Sequence, residues 1–533
     1  MSLRVLCYLL TLCIDTPLLH PQDVTPPHIF YTDLQSAPAQ GGVAIQGQYG
    51  GAFVTIRGSG FGDTQRSSIV TLSGVPVGRI VSWTASTIVV QLGRSSRTGQ
   101  LKVFVPLSGS SNSVPFEIMD GHLYCVSPSG RDTNSGDFTS PWSTVTRAVR
   151  AMRPGDITYV MNGITQAAPD SYHAALSIEH SGTADRPIAL VAYPGADPVI
   201  GDESGEEYGI RTPVIRGAPF NNWVLAGFRI RGANTSLKLV GVTNWRVVNN
   251  DFSCPTGDGA AGCVEVDASN NIAFLGNSVH DAGRPGSSKR YQAVYFGTDS
   301  NHIEVGWNWI INNHSCRGLQ FHSSPTSATS GFNQYDLLIH NNEIAYQVCD
   351  GLNLATIDPS KGRIAVFNNL IHDVGTGPQP PDGTSSYACI NSPGIVNHGL
   401  AGSGTVEIYN NTLVNCGSHG GATAGAISVG PLSPDLLLRN NIVKQAAGDR
   451  YLTLASVAKH IRGDNNWWFG DGAGPQVTIN NHNVDPRLVP SGNGFHLSSG
   501  SPARRGGRDC GIDYDFSGVH RVLAGPCSPG AFE

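Results

Sequence analysis

The sequence is poor in charge. Only 14% of its 533 residues are Asp, Glu, Lys or Arg, against a usual share of about 25%. It holds four methionines and few of the Lys and Glu residues that fill helix surfaces, which argues against a helical bundle. Acidic and basic residues nearly balance, 40 against 34, so nothing resembles a basic nucleic-acid surface and no nucleic-acid partner is expected. No apolar run reaches 18 residues, so no membrane span is predicted. No CxxC pair occurs among the 11 cysteines, which leaves zinc without support. Asparagine is absent before Asn112, yet 35 occur from there to Asn493. Two regions of different composition therefore share one chain, with a boundary near that point.

Glycine is abundant, 65 of 533 residues. The apolar share of 40% allows a sizeable core and argues against disorder. Low charge with many turn formers predicts an all-β protein. At the N-terminus, Met1-Ser-Leu-Arg4 is followed by an apolar run over 5–14. This is the pattern of a signal peptide, assigned to 1–22, and it implies a secreted or cell-surface protein. Nine cysteines lie beyond the leader. Cys254/Cys263 and Cys510/Cys527 enclose Gly/Pro-rich loops and are candidate disulfides; the odd count leaves at least one thiol unpaired.

Residues 27–118 alternate apolar and polar in short runs separated by Gly and Ser, which predicts a β-sandwich. The stretch Val54-Thr-Ile-Arg-Gly-Ser-Gly-Phe61, with Ser86-Thr-Ile-Val-Val90 and Val103-Phe-Val105, resembles an IPT/TIG domain of immunoglobulin-like fold. Sparse carboxylates and the absence of His between His28 and His122 imply an accessory role for it.

The Asn-rich region repeats a short motif: Asn, one residue, then an apolar one. Its copies include Asn249-Asn-Asp-Phe252, Gly276-Asn-Ser-Val279, Trp307-Asn-Trp-Ile310, Asn341-Asn-Glu-Ile344 and Asn440-Asn-Ile-Val443. The second positions fall at 250, 277, 308, 342, 369, 411, 441 and 466. A fixed motif at variable spacing marks a solenoid with insertions on some turns. Three short strands per turn, with an Asn at one corner, predict a right-handed parallel β-helix over 122–533. The amides can stack coil on coil at ~4.8 Å, so most Asn are assigned structural roles. The opening segment, from Val126-Ser-Pro-Ser-Gly130 through an amphipathic stretch at 144–152 to Thr158-Tyr-Val160, resembles the start of pectate-lyase-like β-helix proteins. In that superfamily such a helix plugs the end of the solenoid, and the resemblance implies fold without fixing activity.

Candidate chemistry lies on outward residues that stack between coils. Aligning one strand per turn gives an outward column of Glu265 and Asp267, Tyr295, Gln320 and His322, Asn353, Asn391 and Ser428. Gln292, Arg317 and Asp350 occupy equivalent positions just before it. Glu265 and Asp267 are an i, i+2 pair with carboxylates on one face, suited to acid–base work or to a calcium ion. Lys289, Arg317, His322, Asp350 and Tyr295 are the candidate catalytic residues; Gln320, Asn353 and Arg290 are candidates for binding substrate. His280-Asp281 and His372-Asp373 recur at equivalent corners and are read as a hydrogen-bond device.

The resemblance to pectate-lyase-like β-helix proteins implies, more than these residues do, a secreted polysaccharide-cleaving enzyme, first a lyase acting by β-elimination on a uronic-acid polymer. That chemistry needs the C5 carboxylate neutralised and the C5 proton removed. A glycoside hydrolase would use two carboxylates from Glu265, Asp267, Asp281, Asp299 and Asp350. A non-catalytic adhesion or carbohydrate-binding protein is the third reading. A monomer is expected. The segment Arg211-Thr-Pro-Val-Ile-Arg216 matches an Arg-x-Pro-x-x-Arg pattern of pectate lyases, but it precedes the acidic pair instead of following it and is read as coincidence.

Overall fold

The computed structural model describes residues 26–45, 48–205, 207–214, 220–323, 334–394, 404–455, 461–491, 494–521 and 525–533. The predicted signal peptide, Arg216 and residues 324–333 lie outside the described residues. The chain is nearly all β: an immunoglobulin-like sandwich followed by a right-handed parallel β-helix of the pectate-lyase-like type.

In the sandwich, one sheet orders His28–Thr32, Phe53–Ser59, Thr87–Gln91 and Arg79–Trp83. The other centres on Val114–Ile118, Gly99–Val105 and Ile69–Leu72. Alternation along the strands buries Ile56, Val70, Val90 and Val103 between the sheets. Asn112 belongs to this domain, because its amide pairs with both backbone groups of Ile29. The domain boundary therefore lies a few residues beyond the step in composition.

The solenoid begins with Leu123–Val126 and builds three parallel sheets of 12, 11 and 10 strands, here the first, second and third sheets. Each inner face contributes to one continuous apolar core, with Phe252, Phe274, Phe296 and Phe321 in ring-to-ring contact along it. The predicted plug is the helix Val145–Ala151, which buries Val145, Ala148 and Val149. Its N-cap is Thr144, whose hydroxyl accepts from the Arg147 N–H at 3.1 Å. This satisfies one of the first-turn donors that a helix leaves open.

Between first and second sheets the chain turns through two residues, and the tandem Asn motif serves both. The first position takes left-handed backbone, as at Asn249, Asn341, Asn368, Asn410, Asn440 and Asn465, a conformation Asn tolerates better than most residues. The second position points inward and forms the ladder. Asn308 Nδ2 donates to Asn342 Oδ1 at 2.8 Å, and Asn342 Nδ2 donates to Asn369 Oδ1 at 2.9 Å. Each side-chain oxygen also accepts a backbone N–H from the preceding coil, and the chain of amides runs unbroken from Asn250 to Asn466.

The first-position amides point outward and hold the C-terminal tail. Asn440, Asn410, Asn368 and Asn341 donate to Arg508, Cys510, Tyr514 and Asp515 carbonyls in turn. The tail thus runs back along the corner until Tyr514 stacks on His28 of the sandwich at 3.4 Å. The sandwich itself rests on the outer face of the first sheet, packing with Tyr159, Val191, Val224 and Ala226. Tyr159 exchanges two hydrogen bonds with the Phe53 backbone. Arg246 donates to the Thr32 carbonyl at 2.7 Å.

Both predicted disulfides, Cys254–Cys263 and Cys510–Cys527, are formed. Cys316–Cys349 and Cys389–Cys416 add two more, and Cys125 is free and buried. Among the described residues no helix is long and apolar enough to cross a membrane.

Candidate functional site

The outer face of the third sheet carries the expected column. Arg211, Lys238, Glu265, Tyr295, Gln320, Asn353, Asn391 and Ser428 are successive register partners. Strand alternation sends their side chains outward because their neighbours, such as Val264 and Val266, fill the core. The column divides into two parts.

The upper part is closed. Arg317 Nε donates to Asp350 Oδ2 at 3.0 Å, and its other nitrogens donate to the Lys289 carbonyl and to Ser385. Asp350 is fully buried. It also accepts from Ser386, from the Ala388 N–H at 2.9 Å and from Asn391 at 3.4 Å. Burial pushes its carboxyl above the ordinary range, against the pull of Arg317 and these donors. The predicted pair of Arg317 and Asp350 is thus brought together, but as a buried brace that holds the 385–388 segment onto the sheet. The flanking Cys316–Cys349 disulfide ties the same two coils. Asn391 donates to Asn353 at 3.2 Å, and Asn353 donates to Gln320 at 2.8 Å. The side-chain oxygens of Gln320 and Asn353, two of the residues expected to bind substrate, thus each accept from a neighbour in the column. Gln320 keeps its amide nitrogen, which donates to no group among the described residues. Lys289 and Arg290 stand on the adjoining loop, where the Lys289 N–H donates to Asp382 at 2.8 Å; Arg290 is exposed.

The lower part gathers reactive groups with few fixed partners. Lys238 Nζ lies 2.7 Å from Glu265 Oε1 and 3.8 Å from Asp267 Oδ2. Asp267 has its carboxyl pushed up to about 7, by burial first and by the neighbouring Glu265 second, while Lys238 pulls the other way. The next coil places Gly297 beside Asp267, and a Cβ there would strike the Asp267 carboxylate and the Tyr295 ring. The missing side chain leaves room for both groups. The Tyr295 hydroxyl donates to the His322 carbonyl at 2.8 Å and lies 3.3 Å from His322 Nδ1. Burial and the Arg317 charge lower the His322 pKa, so its ring is neutral near pH 7. Burial holds the proton on Tyr295.

Calcium surrounds itself with six to eight oxygens. Glu265 and Asp267 supply two carboxylates, and the cation beside them is the Lys238 ammonium. Among the described residues no three His, Cys, Asp or Glu converge on one point. This donor set does not fit calcium.

Lys238 went unnoticed in the sequence. Its signal was there, since Leu237-Lys-Leu239 repeats the in–out–in pattern of Val264-Glu-Val266 one coil earlier. Arg211 stands one coil before Lys238 in the same column, with its guanidinium 4.4 Å from the Tyr208 ring and bonded to the Tyr172 carbonyl. The His-Asp repeat forms the expected corner device: His280 bridges Asp251 and Asp281, and His372 bridges Glu343 and Asp373.

The family model for the IPT/TIG domain matches residues 45–118. A crystal structure of the pectate lyase Pel9A superposes with a TM-score of 0.52 at 14% identity, covering 78% of this chain and 96% of that one; this likeness is one of fold. A rhamnogalacturonan lyase covers 76% of the chain with a TM-score of 0.40 at 13% identity. Among curated sequences, the uncharacterised protein YwoF of Bacillus subtilis (strain 168) is 30% identical over 115 residues. That match takes in 22% of this chain and spans 23% of the relative's length.

Proposed function

We propose that this protein is a polysaccharide-cleaving enzyme, acting on a uronic-acid polymer by β-elimination on the outer face of the third sheet. The observation that carries this reading is the Tyr295 hydroxyl held 3.3 Å from the ring of a neutral His322. In elimination, the imidazole takes the C5 proton and the electrons of that bond form the C4–C5 double bond. The C4–oxygen bond breaks, and the leaving oxygen takes a proton from the phenol. The Gln320 amide nitrogen and a protonated Asp267 are neutral donors for the C5 carboxylate, and Lys238 offsets the charge of Glu265. Such positioned acid–base groups contribute roughly 10²–10⁴-fold each to rate. The Pel9A fold likeness supports the substrate class by analogy only.

A second reading is hydrolysis, favoured by the raised pKa of Asp267 beside Glu265, an arrangement that can supply a general acid at neutral pH. One experiment separates them. The protein is incubated with a panel of uronic-acid polymers and neutral polysaccharides, and both ultraviolet absorbance and reducing ends are followed. Elimination gives an absorbing unsaturated product; hydrolysis gives reducing ends without it. Silence in both assays would leave a binding protein. Full activity in His322→Ala would remove His322 from the chemistry.

A further inference from the structure

Two corner columns of the solenoid are occupied almost entirely by Asn, Asp or Gly, because their backbone is left-handed. In each, one coil departs from the rule with an aromatic residue. Trp307 is the exception in the first-to-second-sheet corner, at φ 55°. Its reason is visible: the indole packs on Phe30 and Tyr31 of the sandwich, with ring centres 5.5 Å and 5.3 Å away. The second exception is Tyr346, in the corner that ends the second-sheet strands. The equivalent residues are Asp281, Asn312, Asp373 and Asn415, all with φ between 50° and 55°. Tyr346 adopts φ 55° as well, and a bulky side chain there is a strained choice. It packs on no second domain and is 52% exposed.

Its surroundings are ordered for presentation. One coil earlier, on the outer face of the second sheet, Trp309 is 41% exposed. Its indole N–H donates to Glu343 Oε2 at 3.0 Å. The other Glu343 oxygen lies 3.2 Å from His372 Nε2, and the His372 ring meets Tyr346 edge to face at 5.5 Å. One Glu–His pair therefore steadies both exposed rings. Trp309 pairs in register with Glu343, and Tyr346 lies three residues further along. The two rings are thus based roughly 11 Å apart, from ~3.3 Å per residue along a strand and ~4.8 Å between coils. Ile311 fills the outward position between them. At the strand and corner positions of these coils and their neighbours, the charged groups are Asp281, Glu343 and Asp373, with His280 and His372 paired to them. No Lys or Arg stands at these positions; Asp251, also bonded to His280, adds a fourth carboxylate, so the face stays acidic on balance even with both histidines protonated.

We infer that Trp309 and Tyr346 form a binding shelf for a neutral saccharide chain on the outer face of the second sheet, separate from the third-sheet site. Flat aromatic rings take the apolar faces of sugar rings. The acidic rim accepts hydrogen bonds from hydroxyls and turns away uronate chains. The C-terminal hairpin lies beside the shelf, since Phe495 meets the His372 ring edge to face at 5.3 Å.

The test is affinity electrophoresis of the full-length protein in gels containing hydroxyethylcellulose, xylan or galactan, with polygalacturonate as the acidic control. Retardation is expected in at least one neutral polymer, with affinity reduced about tenfold or more by Trp309→Ala and by Tyr346→Asn. Tyr346→Asn restores the residue type of the neighbouring corners, so its thermal midpoint should equal or exceed that of the parent. His322→Ala should bind as the parent does, whether or not it cleaves any polymer, which keeps this test separate from that of the third-sheet chemistry. Absence of retardation in every neutral polymer, retardation by polygalacturonate alone, or unchanged affinity in both aromatic variants would overturn the inference.

Discussion

Two columns of polar side chains run along this solenoid, and they differ in what they leave unsatisfied. The inner one, Asn250 to Asn466, repeats a single amide whose donors and acceptor all find partners at every coil. The outer one, on the third sheet, changes residue type at nearly every step. Its upper part closes on itself through Gln320, Asn353, Asn391 and Asp350. Its lower part mixes a cation, two carboxyls, a phenol and an imidazole. Uniform amides complete one another and build a wall. Mixed groups cannot, and what they leave over is available to a ligand.

Breaking the inner column should have the largest effect on folding. Asn342→Ala leaves the Asn308 backbone N–H and one of its side-chain N–H groups without their acceptor, removes the side-chain donor to the Val305 carbonyl, and takes one of two donors from the Asn369 oxygen. A loss of about 3–5 kcal/mol is expected in urea unfolding. Tyr295→Phe should do the reverse. It removes one hydroxyl at a cost of about 1 kcal/mol, while the rate of polymer cleavage falls roughly 10²–10⁴-fold. Equal losses of stability in the two variants would erase the distinction between the columns.

A smaller effect concerns the corner pairs. Burial lowers the His372 pKa, but hydrogen bonds to Asp373 and Glu343 more than offset it and raise it to about 8, from an unperturbed 6.5. A raised histidine stabilises fully below its unfolded value and loses that contribution as pH climbs through the folded one. About 2 kcal/mol should therefore disappear between about pH 6 and pH 9, and His372→Gln should flatten that part of the pH profile in urea titrations.

The solenoid was legible because its signal is repetitive: a left-handed corner and a buried amide recur every turn, and a period of two sets which residues face inward. The outward column followed from the same period, which is why Glu265, Tyr295, Gln320 and Asn353 were placed together in register. Lys238 was missed by starting the column one coil too late. The tandem Asn pairs show where the pattern stops informing. Both residues read alike in the sequence, yet the second braces the core and the first grips the tail.

Sequence alone determined the sandwich, the β-helix, the plugging helix and two of the disulfides, since each rests on local alternation, turn chemistry or short loops. Tertiary structure decided which polar residues are spent. Arg317 and Asp350 looked as reactive as His322 in the chain, but a segment some 35 residues beyond Asp350, brought back by one turn of the solenoid, buries that pair and completes its hydrogen bonds. Whether a side chain is free for chemistry depends on partners distant in sequence, and only the stacked coils bring those partners within reach.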